Sequence, residues 1–472
     1  MEVLQRTANR GSIATGAAYE IENSLKLESD NAEYIDNRHY TAGNTRTWTL
    51  SFWIKRTELG TTQKVYDAGN AAMVAFLSTD IIKIENSNLY LETNRVFRDT
   101  SAWYHIVVLN DSTQSTASDR AKLWINGVQE TSFSIETYMA QNQEGNMNSA
   151  TSISIGGAVG VHVNGYMAEL FFVDGQALAP TDFGEFDDDS GIWKPKEYNG
   201  TLSGTSIKLD FSNSAALWED SSGLTGNGTA MSGNNITSAN QATDTPTNNF
   251  ATLNPLFRFD LCTIFEGATR VKRTAELFDR WRTFASSIGV TSGKWYAEFQ
   301  NPVHATAGND TFIGVAPATI FNQSISTSSG YLGGSSAETT DSIGYHGFTG
   351  KKFINGTSSS FGNTYAGETV AVALDMDNGY VYFAKANAWQ NSGDPTSGSS
   401  GTGGIALQLP NDAHYLACSI YQENSDFQAN YGGYTTISIS TPETDENGYG
   451  TFEYAPPSGY YALCTKNLAE YG

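Results

Sequence analysis

The sequence predicts an all-β protein: two jelly-roll or β-sandwich modules joined by a loop-rich, partly helical seam. Three observations predict it. Aromatic residues make up 12% of the 472-residue chain, which also holds 46 glycines; aromatic side chains suit a half-buried pleated surface, and glycine supplies the positive φ of tight connections. Apolar residues recur in short alternating runs closed by Gly, Asn and Asp, which is the period of strands. The length exceeds that of one ordinary β domain, so roughly two to four separate cores are expected.

The first module is expected over residues 18–212, after an N-terminal arm or attachment segment, 1–17, that is small, polar and without a core pattern. From Trp48 to Lys55 the alternation puts Trp48, Leu50, Phe52 and Ile54 on one face, read as core, and Thr49, Ser51, Trp53 and Lys55 on the other. A strand follows at Trp103 to Leu109. Lys122 to Val128 then gives a strand entering an Asn126-Gly127 turn, the sequence that a type I′ hairpin favours because it needs positive φ twice. Ile153 to Gly156 and Gly165 to Val173 complete the series.

Residues 213–288 change character. Gly226-Asn227-Gly228 and Ser232-Gly233-Asn234-Asn235 read as turns in a connector, and Leu277, Phe278 and Trp281 have the spacing of a short helix face with solvated arginines around it. The second module is expected over 289–440. Trp295, Ala297 and Phe299 share an inward face, and Thr369 to Asp375 joins Tyr380 to Phe383 through a second Asn-Gly corner at Asn378-Gly379. Residues 441–472 are expected to pack against this second sandwich, because their tyrosines and Leu463 would otherwise leave an apolar surface exposed.

The formal charge of −23, from 50 acidic against 27 basic residues, disfavours nucleic acid as the main partner, since a phosphate backbone needs a concentrated positive field. Three cysteines, Cys262, Cys418 and Cys464, do not make a disulfide framework. The segment Met1 to Arg6 lacks the apolar stretch of a secretory signal, and no apolar run is long enough for a membrane helix. The expectation is a protein made in a cytoplasm, with no membrane insertion.

Trp48 to Lys55, Trp103 to Val108 and Leu123 to Gly127 together resemble the laminin-G-like or concanavalin-A-like jelly roll. Ser292 to Phe299, Thr311 to Ala316, and Gly367 to Asp375 with Gly379 to Phe383 resemble the SPRY-like sandwich. The junctions, Gly165 to Leu178 with Trp193 to Lys196, Asp244 to Leu256, and Asn430 to Gly432 with Phe452 to Leu468, are similar to those of virion proteins of tailed phages, notably aquatic ones. The resemblance implies a non-enzymatic structural protein of a virion, of the tail-fibre or receptor-binding kind. It would form a homo-oligomer, meet other virion proteins and contact a host-surface glycan or protein. Capsid decoration and a glycan-degrading tail enzyme are the alternatives the resemblance leaves open.

Candidate receptor- or glycan-binding residues are Tyr66, Asp67, Asn70, Trp193 and Tyr198, which combine aromatic faces with polar groups near apparent strand ends. Support of loops or subunit contacts is their other reading. Glu185, Asp187 and Asp189 would share one side of a strand, leaving a carboxylate pair for glycoside hydrolysis, a calcium site, or a solvated acidic loop bounded by Gly184 and Ser190-Gly191. No motif requires a cofactor, and calcium is the ion the acidic cluster would suit. The six histidines have no zinc spacing, and neither a Gly-x-Ser-x-Gly elbow nor a phosphate-binding loop is present. No catalytic residue is therefore assigned.

Overall fold

The computed structural model describes residues 19–38, 41–69, 71–158, 160–224, 231–257, 259, 261–274, 281–302, 311–322, 330–421 and 425–472. The chain divides into two compact units between Asn249 and Phe250. Each is nearly all-β and built on two large sheets. The expected arm, 1–17, lies outside the described residues.

In the first unit, sheet A runs edge to edge through Val128–Glu130, Ala121–Ile125, Tyr104–Asp111, Thr47–Arg56, Gly165–Asp174, Ser24–Leu27 and Gln241–Ala242. Sheet B runs through Phe133–Thr137, Leu89–Val96, Ile81–Asn86, Ala72–Phe76, Gln63–Asp67, Ser152–Ile155, Tyr34–Arg38 and Met231–Asn234. Trp48, Leu50, Phe52 and Ile54 are buried in the core with Val65, Phe76, Ile84 and Leu91 of the facing sheet. Each such side chain contributes about 1.5–3 kcal/mol before entropy is subtracted. The Asn126-Gly127 hairpin forms as the sequence predicts, with φ of +48° and +77°.

The opposite face of Thr47–Arg56 is buried as well. Val107, Phe171, Val173 and Phe183 make a second small core there, with Trp124, Leu178, Tyr198 and Leu202 packed around it. Toward the other end of the strand, Lys55 Nζ meets Asp244 Oδ2 at 2.7 Å, both side chains being fully enclosed. Trp103 Nε1 donates to the other oxygen of Asp244 at 3.1 Å. A buried charge is tolerated only when paired and hydrogen-bonded, so this ion pair ties residues 241–249 onto sheet A.

The connector expected over 213–288 is therefore not a seam. Met231–Asn234 and Gln241–Ala242 complete the first unit's sheets, while Cys262–Phe265, Arg270–Arg273 and Arg282–Ala285 belong to sheets of the second. The polar, turn-rich composition of 213–250 hid short edge strands whose partners lie about two hundred residues earlier. Leu277 and Phe278, on which a short helix was expected, lie outside the described residues.

The second unit pairs Lys294–Gln300 with Val370–Asp375 and Asp426–Asn430 in one sheet, and Thr311–Pro317 with His414–Ile420 and Ile343–His346 in the other. Trp295, Ala297 and Phe299 face the core between them. Asp375 pairs with Tyr380, so Met376 to Gly379 form the connection as the sequence predicts, but of Asn378 and Gly379 only Gly379 has positive φ, and the corner is not a type I′ turn. The Asp375 side chain accepts from Asn378 N at 2.9 Å and organises the loop itself. A true Asn-Gly turn closes the Lys351–Ile354 and Thr357–Ser360 hairpin, at Asn355 and Gly356.

The C-terminal residues cover the outer face of the sheet containing Lys294–Gln300, where Phe452, Tyr460, Ala462 and Cys464 pack on Tyr296, Ala371, Ala373 and Tyr382. Glu298, fully buried, fastens them. Its carboxylate accepts from Glu453 N at 2.9 Å, Tyr454 N at 2.8 Å, Asn430 Nδ2 at 3.1 Å and Tyr296 Oη at 3.1 Å.

Candidate functional site

The four binding candidates among the described residues do not converge. Tyr66 is 1% exposed, in the core between the sheets, its ring stacked on Phe172 at 5.5 Å. Asp67 spends its carboxylate on the adjacent turn, accepting from Gly69 N at 2.7 Å, and pairs with Lys64. Asn70 lies outside the described residues. Trp193 and Tyr198 sit on the outer side of sheet A, and both pack inward. The Tyr198 ring stacks on Phe183 at 5.1 Å.

Trp193 is 7% exposed and fitted between two glycines. A Cβ on Gly127 would come within 2.3 Å of its ring, and one on Gly184 within 2.5 Å. Its Nε1 donates to His105 Nδ1 at 2.9 Å, and the imidazole also stacks on Trp53 at 4.5 Å. These aromatic residues are structural: alternation alone could not show that a second layer covers this face.

The His105 environment also decides its chemistry. Burial drives its pKa down to about 3, so the ring is neutral. An indole N–H can only donate, so Nδ1 is the acceptor and Nε2 carries the proton. Ser51 Oγ, 2.9 Å from Nε2, therefore receives a hydrogen bond. The pair has the polarity opposite to that of a serine activated by a histidine base.

In the acidic cluster Asp187 and Glu185 are paired internally. Only Gly184–Phe186 is a strand, so Glu185, Asp187 and Asp189 do not share one strand face. Asp187 accepts from Ser190 N at 2.9 Å and Ser190 Oγ at 2.8 Å, and Lys194 Nζ stands 3.2 Å from it and 3.5 Å from Glu185. The bonds from Ser190, reinforced by Lys194, hold the Asp187 carboxyl down to about 2. A lysine occupies the place where an ion would have to approach two of the three carboxylates. Among the described residues no group of three or more His, Cys, Asp or Glu side chains is placed to hold a metal.

A different part of the first unit is open. At the edge where the Ala121–Ile125 and Val128–Glu130 hairpin of sheet A approaches the end of Leu89–Val96 in sheet B, a groove of about 480 Å³ is lined by Arg95, Val96, Arg98, Asp99, Tyr104, Ile125, Asn126 and Val128. That volume falls within the range of about 300–1,000 Å³ typical of small-ligand sites. Val96 is 46% exposed and Val128 58%. Both are large apolar side chains left in solvent beside cations.

The local fold explains why these groups point outward. Leu89, Leu91 and Thr93 alternate inward, but the pairing with Ile81–Asn86 then slips: Lys83 opposes Glu92 and Ile81 opposes Val96, so extra residues are accommodated as a bulge. Asn94, Arg95 and Val96 are consecutively exposed as a result. On the facing side the type I′ turn holds Asn126, whose Oδ1 accepts from His105 N at 2.7 Å. The sequence signal was the interruption of alternation at Asn94-Arg95-Val96, followed by Arg98, in a chain otherwise rich in acid.

Another residue missed from sequence is Glu169, a carboxylate within the apolar strand Gly165–Asp174. It occupies a bulge opposite Thr47–Arg56, with φ of +42°, and is 4% exposed. Burial drives its pKa up to about 7, against the hydrogen bond donated by the Tyr19 hydroxyl. It lies on a strand that Thr47–Arg56 separates from the strands of the groove residues Tyr104 and Ile125.

Residues 28–182 match the family model described as the concanavalin A-like lectin/glucanases superfamily. The first unit thus carries a laminin-G or concanavalin-A-like module. No curated protein sequence matches the chain. Among solved structures it is similar to the SPRY domain of human HERC1, at 15% identity over 38% of this chain and 95% of that one, with a TM-score of 0.27. It is also similar to the TRIM65 PSpry domain, at 13% identity over 38% and 92%, TM-score 0.25. A third likeness is to the native heptameric SAP-like pentraxin from Limulus polyphemus, at 16% identity over 34% and 80%, TM-score 0.26.

Proposed function

We propose that this chain is a non-enzymatic recognition protein, a structural component of a phage virion of the tail-fibre or receptor-binding kind, whose first unit contacts glycan on the host surface. The groove at the sandwich edge carries this reading. It joins an aliphatic floor to the polar groups of Arg95, Arg98 and Asn126, the combination that holds a ligand by apolar contact and orients it by hydrogen bonds. The lectin-like family of residues 28–182 supports it, as does the likeness of the junction sequences to those of virion proteins. The locked Ser51–His105 pair and the engagement of Glu185 and Asp187 by Lys194 favour binding over hydrolysis.

Homo-oligomerisation with other virion proteins nearby would turn weak single contacts into avidity. The test is to locate the chain in purified particles and to measure adhesion of the native oligomer to host cells and extracted surface polysaccharide. Distal tail placement with adhesion is expected. A regular lattice on the head would assign capsid decoration instead. Release of defined oligosaccharides, abolished by changing one carboxylate, would overturn the non-enzymatic assignment.

A further inference from the structure

We infer that the groove is a subsite for an acidic sugar, a pyranose ring bearing a carboxylate or a sulfate; this rests on the reading of the first unit as glycan-binding and names the chemistry of what it takes. The inference starts from charge. The chain holds 27 basic residues against 50 acidic ones, yet two guanidinium groups stand at the mouth of this groove with side chains 52% and 59% exposed.

Most carboxylate oxygens around them are engaged by other groups, Asp99 Oδ2 on the groove wall being the exception. Asp80 accepts from Gly60 N at 2.8 Å and from Arg56 at 3.3 Å behind the groove, and takes only Nε of Arg98, at 2.9 Å. Asp99 Oδ1 accepts from Ser101 N at 3.0 Å and Ser101 Oγ at 2.7 Å. Glu130 Oε1 accepts from Thr131 N and Ser132 N, at 3.1 and 2.9 Å, and its other oxygen reaches Arg95 only at 4.0 Å. Among the described residues, the Arg95 guanidinium and both terminal nitrogens of Arg98 therefore donate no hydrogen bond. The same holds for Nδ2 of Asn126, whose Oδ1 alone is used.

Unused guanidinium donors in a fixed fork select a planar or tetrahedral oxyanion. A bare inorganic anion would make no use of Val96 and Val128, which a sugar ring covers with its C–H face while its acidic substituent meets the arginines. The anion supplies the charge and the ring supplies the apolar contact, and an acidic sugar carries both.

The test uses the full-length chain in its native oligomeric state, with calorimetric titration of oligomers of a uronic acid, of sulfated oligosaccharides, and of neutral oligosaccharides of matched linkage. Arg95→Gln is the primary variant because the Arg95 guanidinium donates no hydrogen bond whose loss could unfold the protein; Val128→Thr is the second. The expected result is acidic-sugar affinity at least about ten-fold above the neutral match, falling about ten-fold in Arg95→Gln and declining with salt, as exposed charge contacts do. Carboxylated and sulfated arms distinguish the two sources of the anion. Neutral oligosaccharides binding as tightly as acidic ones, unaffected by Arg95→Gln, would overturn the subsite while leaving glycan recognition standing. So would tighter binding of an acidic peptide competing at the same residues. Failure of the parent chain to bind any glycan, host polysaccharide included, would overturn both.

Discussion

The indole N–H of Trp193 reaches His105 Nδ1 at 2.9 Å, and that one bond fixes which imidazole nitrogen holds the proton. It places Trp193 of the short outer strand Trp193–Pro195, a central-strand histidine and Ser51 in a single ordered chain beneath the surface of sheet A. Trp193→Phe keeps the ring packing and removes the donor, leaving a buried acceptor unsatisfied at a cost of about 1–3 kcal/mol. The expected readout is a lowered Tm together with a change in the imidazole 15N shifts as the tautomer is released. Unchanged shifts would contradict the assignment.

His105 also sets an acid limit. Burial drives its pKa down to about 3, while an unfolded histidine titrates near 6.5. The unfolded chain thus binds more protons in between, so the stability His105 contributes is fully present above about 6.5 and is lost as pH falls toward 3, by about 1.4 kcal/mol per pH unit at most. Glu169 works in the other direction: burial raises its pKa to about 7, so its contribution is complete below about 4.5 and is lost as pH rises through 7. Lys208 opposes that rise, and Asp210 and Glu197 reinforce it. The two slopes offset each other between about 4.5 and 6.5. Glu169→Gln should therefore match the parent near pH 4.5 and exceed it at pH 8 by up to about 3 kcal/mol, measured by chemical denaturation at each pH. Parallel curves for parent and variant would refute the buried-acid reading.

Gly127→Ala tests the covering of sheet A. Residue 127 sits at φ of +77°, and an added Cβ would lie 2.3 Å from the Trp193 ring. Left-handed strain of about 1–2 kcal/mol and overpacking of about 1–3 kcal/mol then act together. A loss of about 2–5 kcal/mol on denaturant unfolding is expected, with a red shift of tryptophan emission as Trp193 is displaced. A neutral effect would mean that the turn and the tryptophan do not pack as described.

Asp244→Ala tests where the first unit ends. It strands the buried Lys55 charge, and breaking such a pair costs about 3–5 kcal/mol. Calorimetry should show the transition of the first unit moving down while that of the second, which begins at Phe250, stays in place. Equal movement of both would argue against the boundary at Asn249.

The sequence by itself determined the all-β class, the core face of Thr47–Arg56 and the Asn126-Gly127 hairpin, because period-two alternation and positive φ are local properties written within a few residues. What lies on the far side of a strand is not local. Only the tertiary structure showed that Tyr66, Trp193 and Tyr198 are packing residues, that Lys194 answers the acidic loop, and that residues 231–249 complete the first unit through partners some two hundred positions away. The groove of Arg95, Arg98 and Val128 is of the same kind: a bulge in one sheet and a turn in the other bring together groups that share no strand, so their proximity follows from how the two sheets stack.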